Sequence, residues 1–173
     1  METFLEIIKI TIPALIVFLT AWLLLRNLMR NEEGRRRQEL ILQNSRNVVP
    51  IKLQAYERII LFLERISLES LLLRVSTPDM TVSQLQSAMH TTIRSEFEHN
   101  LSQQIYMSQQ AWEVVRNARS NMIRMINNEA EGLPAESPAI NLSKKLLEKV
   151  MELDSEPTRA AIDFIKAEVA RMI

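Results

Sequence analysis

Apolar positions along this chain fall into two kinds of run. The first, Ile7 to Leu25, is 19 residues long and broken by one charge, Lys9. At about 1.5 Å of rise per residue, a helix of that length matches the ~30 Å hydrocarbon core of a bilayer. From residue 50 onward the pattern is periodic, with apolar side chains at steps of three and four, which predicts amphipathic helices packed on a common core.

The periodic part divides at local signals. Pro50 suits the first turn of a helix whose stripe is Leu53, Tyr56, Ile59, Ile60, Leu63 and Ile66. Ser67 is placed to cap a short helix from Leu68 to Val75, and Ser76-Thr77-Pro78-Asp79 is a turn by composition. Thr81-x-x-Gln84 forms a capping box ahead of Val82, Leu85, Met89, Ile93, Phe97, Leu101 and Ile105. The phase is lost near Ser108, and a new stripe follows: Trp112, Val115, Met122 and Ile126, with Arg119 on the same face. The expectation is a kink or two helices, about 82–107 and 109–130. Gly132 to Pro138 is a loop. Asn141 and Ser155 are placed to cap two last helices, about 142–153 and 156–172, with Pro157 in the first turn of the second.

These elements predict an all-α protein: an N-terminal transmembrane helix running on into a cytoplasmic bundle of five to six helices. Its parts are a transmembrane anchor with basic flank (1–30), a juxtamembrane helix or linker (31–49), a central bundle (50–131), a loop (132–140) and a C-terminal helical pair (141–173). Glycine occurs only twice, too rarely for the turns of a β-rich domain, and the abundant residues are good helix formers. Met89, Met122, Met125, Met151 and Met172 read as core filler.

Charge gives the first run a direction. Glu2 and Glu6 precede it, whereas Arg26, Arg30, Arg35, Arg36 and Arg37 follow it. A secretory signal has the opposite order and a small-x-small cleavage site, which is missing here. Thr3 and Glu6 have capping-box spacing, Pro13 predicts a kink, and Trp22 falls at the far boundary. The basic flank puts the N-terminus outside and the rest in the cytoplasm, so the expected location is a bacterial inner membrane, single-pass. Residues 26–66 carry nine basic and five acidic side chains, facing lipid, and residues 127–173 carry six and nine. The chain as a whole is neutral, without basic-aromatic interleaving, so no nucleic-acid partner is expected. The absence of cysteine rules out disulfides.

Candidate chemistry is thin. Glu96 and His99 have the Glu-x-x-His spacing that supplies two metal ligands from one helical turn. A di-metal site needs the motif twice, and His90 has Gln86 and Ser87 where a carboxylate is required. Completing it calls for a second copy with Glu57, Glu64 or Glu113, so no metal and no other cofactor is expected. Glu57-Arg58 and Glu64-Arg65 repeat seven residues apart and form either a solvated rim or a polar seam meeting Arg94, Glu96 or His99. Gln103, Gln104, Gln109 and Gln110 surround Tyr106 and make a candidate interaction surface. No phosphate-cradling glycine loop, nucleophile elbow or Cys-x-x-Cys is present.

The segments Leu53-Gln54-Ala55-Tyr56-Glu57-Arg58, Leu61-Phe62-Leu63-Glu64-Arg65-Ile66 and Glu96-Phe97-Glu98-His99-Asn100-Leu101-Ser102-Gln103-Gln104 carry a resemblance. The chain resembles a family of short Bacteroidota proteins without assigned activity, each with one N-terminal span and a helical cytoplasmic part. The likeness runs from the anchor to about Ile126. It implies an inner-membrane location and no catalytic residue. The expected function is a non-enzymatic, membrane-anchored interaction or scaffold protein with a protein partner or a second copy. The alternative is an accessory subunit of a multi-subunit inner-membrane complex.

Overall fold

The computed structural model describes residues 15–27, 48–153 and 155–172. Among these every regular element is helical, in keeping with the expected all-α class. The chain forms two compact units, Met1–Val49 and Pro50–Ile173.

In the first unit, residues 15–27 are helical and every one of them is exposed. The Thr20 hydroxyl donates to the Val17 carbonyl at 2.9 Å, and the Arg26 guanidinium lies 5.3 Å from the centroid of the Trp22 ring. Among the described residues no helix is long and apolar enough to cross a membrane. The Thr3–Glu6 capping box, Lys9, Pro13 and Arg30, Arg35, Arg36 and Arg37 lie outside the described residues.

The second unit is built around one hydrophobic cluster. Residues 48–65 (α1) bury Tyr56, Ile59, Phe62 and Leu63, with Ile66 just beyond the end. Of the predicted stripe, Tyr56, Ile59, Leu63 and Ile66 are buried and Leu53 and Ile60 half-buried, while Ala55 and Phe62 join the buried face. Val48 and Val49 are already helical, so Pro50 does not open the helix. Helix α2 spans Leu68–Val75, as the sequence pattern predicts, but its cap is different. The Ser67 hydroxyl donates to the Glu64 carbonyl at 2.8 Å. The free amide of Leu68 is met instead by Glu156 Oε1 at 2.7 Å, from 88 residues downstream. A carboxylate at a helix N-terminus satisfies an orphan donor and complements the helix dipole, so Glu156 does the work expected of Ser67.

Helix α3, Val82–Asn100, begins with the capping box read from Thr81 and Gln84. The 132–139 loop completes that terminus: Val82 N donates to the Ser137 carbonyl at 2.9 Å and Ser83 N to that of Ala135 at 3.0 Å. The first three amides of α3 are thus all occupied, one by Thr81 and two by a loop distant in sequence. After Asn100 the chain tightens into a 3-10 turn, Leu101–Tyr106. That tightening rotates the stripe, leaving Leu101 and Ile105 exposed (42% and 76%), where the extrapolated α-period placed them in the core.

Helix α4, Gln109–Glu131, is capped by Ser108 and buries Val115, Met122 and Ile126. It packs on α3, on α5 (Ile140–Glu152) and most extensively on α6 (Pro157–Ala170). The last two helices therefore belong to the same compact unit as the rest. Neither Asn141 nor Ser155 caps them: α5 starts after Ala139, and α6 after Glu156 with Pro157 in its first turn. Of the five methionines read as filler, Met89, Met122 and Met125 are buried, whereas Met151 and Met172 are exposed. Both exposed ones lie in the final turn of a helix or beyond it, where nothing covers the stripe.

Candidate functional site

Position 96 is where the heptad-spaced charges of α1 meet α3. Arg65 donates through Nε to Glu96 Oε1 at 2.7 Å, and its Nη2 lies 2.6 Å from the same oxygen. Arg74, on the last turn of α2, adds Nη1 at 3.1 Å and donates Nη2 to the Arg65 carbonyl at 2.9 Å. One carboxylate oxygen thus ties three helices. The Arg65 hydrogen bond, reinforced by Arg74, holds the Glu96 carboxyl below the usual carboxylate range despite its partial burial, and Glu96 in turn raises the Arg65 guanidinium.

One turn further on, Arg58 Nη2 lies 3.2 Å from His99 Nε2. A guanidinium has donors only, so this contact requires Nε2 to be unprotonated and to accept. Arg58, Arg65, Glu96 and His99, with Leu61, Phe62, Ser95 and Asn100, line an open cleft of about 470 Å³. Asn100 is buried at its end and donates Nδ2 to the Glu96 carbonyl at 2.9 Å, closing the last turn of α3.

Of the two readings of the Glu-Arg repeats, the structure assembles the polar seam, and its members are the arginines. Arg58 and Arg65 reach α3, whereas Glu57, Glu64 and Arg94 stay exposed and enter no salt bridge among the described residues. Glu96 and His99 are both engaged by guanidinium groups, and three such charges stand where a cation would have to sit. That electrostatic setting favours an anion. Among the described residues no three of the ligating types converge on a metal position. Glu113, considered as an additional ligand, instead accepts from Gln109 Nε2 at 3.2 Å.

The amide belt lies on the 3-10 turn and the start of α4. Gln104, Tyr106, Gln109 and Gln110 are exposed, Gln103 is half-buried, and Ile105 stands out among them. His90 is a different case: its Nε2 is buried without a partner, and desolvation, with Arg94 nearby, lowers its pKa.

Sequence reading missed a second polar node. The Tyr56 hydroxyl donates to Glu168 Oε1 at 2.5 Å and accepts from Ser108 N at 3.3 Å. The Ser108 hydroxyl donates to Glu168 Oε2 at 3.0 Å while accepting from Ala111 N. Tyr56 belongs to the apolar stripe of α1, so only its hydroxyl hinted at a polar partner. Burial, then the Glu168 hydrogen bond, pushes its pKa up to about 12.

The profile that matches this chain is described as Family of unknown function (DUF7935), and the match covers residues 2–172. The chain belongs to this family. The match runs through α6, past Ile126 where the resemblance read from the sequence stopped. The extension is physically reasonable, because α6 supplies Glu168 to the Tyr56 node, and Glu156 at its start caps α2. Neither a curated protein nor a solved structure matches.

Proposed function

We propose that this protein is a non-enzymatic, membrane-anchored interaction module whose helical unit faces the cytoplasm. The supporting observation in the first unit is residues 15–27: a helix whose apolar side chains, from Leu15 to Leu25, are all exposed. Lipid is the solvent that removes the cost of such exposure. Thr20 satisfies its hydroxyl within the helix, which lets it face lipid without a protein partner. Trp22 and Arg26, stacked at the end of the run, match an interfacial anchor.

In the second unit the support is the exposed turn bearing Leu101, Ile105 and Tyr106 amid the glutamine side chains. Apolar anchors ringed by neutral hydrogen-bonding groups suit a protein partner or a second copy. Orientation is testable because the chain has no cysteine. With E2C and S102C introduced singly, a membrane-impermeant maleimide added to intact cells should label E2C and leave S102C untouched. Labelling of both or only S102C, or release of the chain by alkaline carbonate, defeats the anchored reading. Crosslinking in intact membranes should attach a partner to residues 101–110; a strictly monomeric mass with no crosslink there defeats the interaction reading.

A further inference from the structure

Between the end of α3 and the outer face of α4 lies a second cleft, of about 300 Å³, lined by Phe97, Leu101, Gln104, Trp112, Arg116, Arg119 and Ser120. Its lining contains two guanidinium groups and no carboxylate. Among the described residues neither Arg116 nor Arg119 has an acidic group within 4 Å. The arginine cleft beside Glu96 holds its own counter-charge; this one does not.

The two arginines differ in setting. Arg119 is half-buried, and its guanidinium lies 4.2 Å from the Phe97 centroid, so stacking fixes it in place. Its Nε is fully enclosed and has no acceptor, an arrangement that native structures rarely leave unexplained. Arg116, one turn earlier on α4, is exposed. The spacing of three puts both on one face of the helix. Phe97 and Trp112 stack at 5.5 Å between centroids and 26° between planes, forming a continuous aromatic wall, with Leu101 beside it.

A preorganised cation, a second, exposed one, an amide and a flat apolar wall together make a receptor for a negatively charged group on an apolar body. We infer that this cleft binds a small oxyanion, with a carboxylate carried on an aromatic or aliphatic body as the favoured form. Arg119 and Arg116 hold the oxygens, Gln104 donates to them, and the body lies against Trp112. An oxyanion gains charge-assisted hydrogen bonds from two guanidinium groups that meet no acidic side chain among the described residues. The inference stands independently of whether the chain is anchored.

Trp112 reports on the cleft directly once Trp22 is replaced. Full-length W22F protein is titrated with phenylacetate, with its uncharged analogue phenylacetamide and with inorganic phosphate, following Trp112 fluorescence and calorimetric heat. Saturable binding of phenylacetate, with phenylacetamide at least about tenfold weaker, is the expected result. R116Q should weaken phenylacetate at least about tenfold while leaving far-UV circular dichroism and the melting temperature unchanged, because Arg116 is exposed. Saturation by phosphate alone upholds the oxyanion and overturns the apolar body. No saturation by either anion up to about 10 mM overturns the site, because weaker binding is below ~3 kcal/mol. Equal affinity for phenylacetate and phenylacetamide, or an R116Q protein that binds like the parent, overturns it as well.

Discussion

Replacing Tyr56 by Phe removes one oxygen and leaves the ring in the core. In the structure that oxygen donates to Glu168 Oε1 and accepts from Ser108 N, joining α1 to α6 and to the first turn of α4. A hydrogen bond to a charged acceptor contributes about 1.5–3 kcal/mol net, and an amide left without its acceptor costs about 1 kcal/mol or more. Water can replace part of this at the half-open edge, so Y56F should destabilise by about 2 kcal/mol. With a urea slope of about 2 kcal/mol/M, the midpoint should fall by about 1 M without a change in slope. Trp112 fluorescence in the W22F background is the readout. The pH dependence gives an independent handle. The Tyr56 pKa is raised from 10.0 to about 12 on folding, so the hydroxyl's contribution is complete below pH 10 and disappears as pH climbs toward 12. The stability difference between parent and Y56F should therefore be constant from pH 7 to 9 and shrink above 10. A midpoint within about 0.2 M of the parent, or a difference unchanged up to pH 12, refutes the node as a structural link.

Glu96→Gln removes the charge shared by Arg65 and Arg74 and should destabilise at neutral pH; because the folded carboxyl titrates below its unfolded value, the loss should be full above pH 5 and vanish on acidification through the folded pKa, as urea midpoints between pH 2 and 7 will show. Glu156→Ala removes the acceptor of Leu68 N and should cost about 1 kcal/mol, with hydrogen exchange at Leu68 accelerating more than exchange elsewhere. Gly132→Ala should be neutral or stabilising by about 0.5 kcal/mol in thermal melts, because φ is −86° and a Cβ meets only the flexible end of Lys145 at 3.0 Å.

Helix periods were readable wherever the α-helical repeat was unbroken. Most of the stripe of α1 and the capping box of α3 appear in the structure as local chemistry dictates. The misreadings have one physical origin, which is that local rules cannot see partners distant in sequence. Ser67 has the right chemistry for a cap, yet Glu156 takes the amide from 88 residues away. Leu101 and Ile105 fit the repeat by counting, but the chain tightens at Leu101 and turns them outward. The seam between α1 and α3 could be framed from Arg58, Arg65, Glu96 and His99; the third cation, Arg74, arrives from α2 through tertiary packing.

Phe97 explains why two clefts, one with a carboxylate among its arginines and one without, share one end of α3. It packs against Phe62 of α1 at 5.8 Å on one side and against Trp112 of α4 on the other, with Arg119 over its ring. Its sequence neighbour Glu96 is turned by the helical step of about 100° toward Arg65 and Arg74. The α1–α3 cleft thus receives a carboxylate along with its arginines, and part of its positive charge is met from within. The α3–α4 cleft receives the aromatic ring and two arginines, and among the described residues no acidic group meets their charge. No residue of 15–27 lines either cleft, so the clefts and that helix are open to separate mutation.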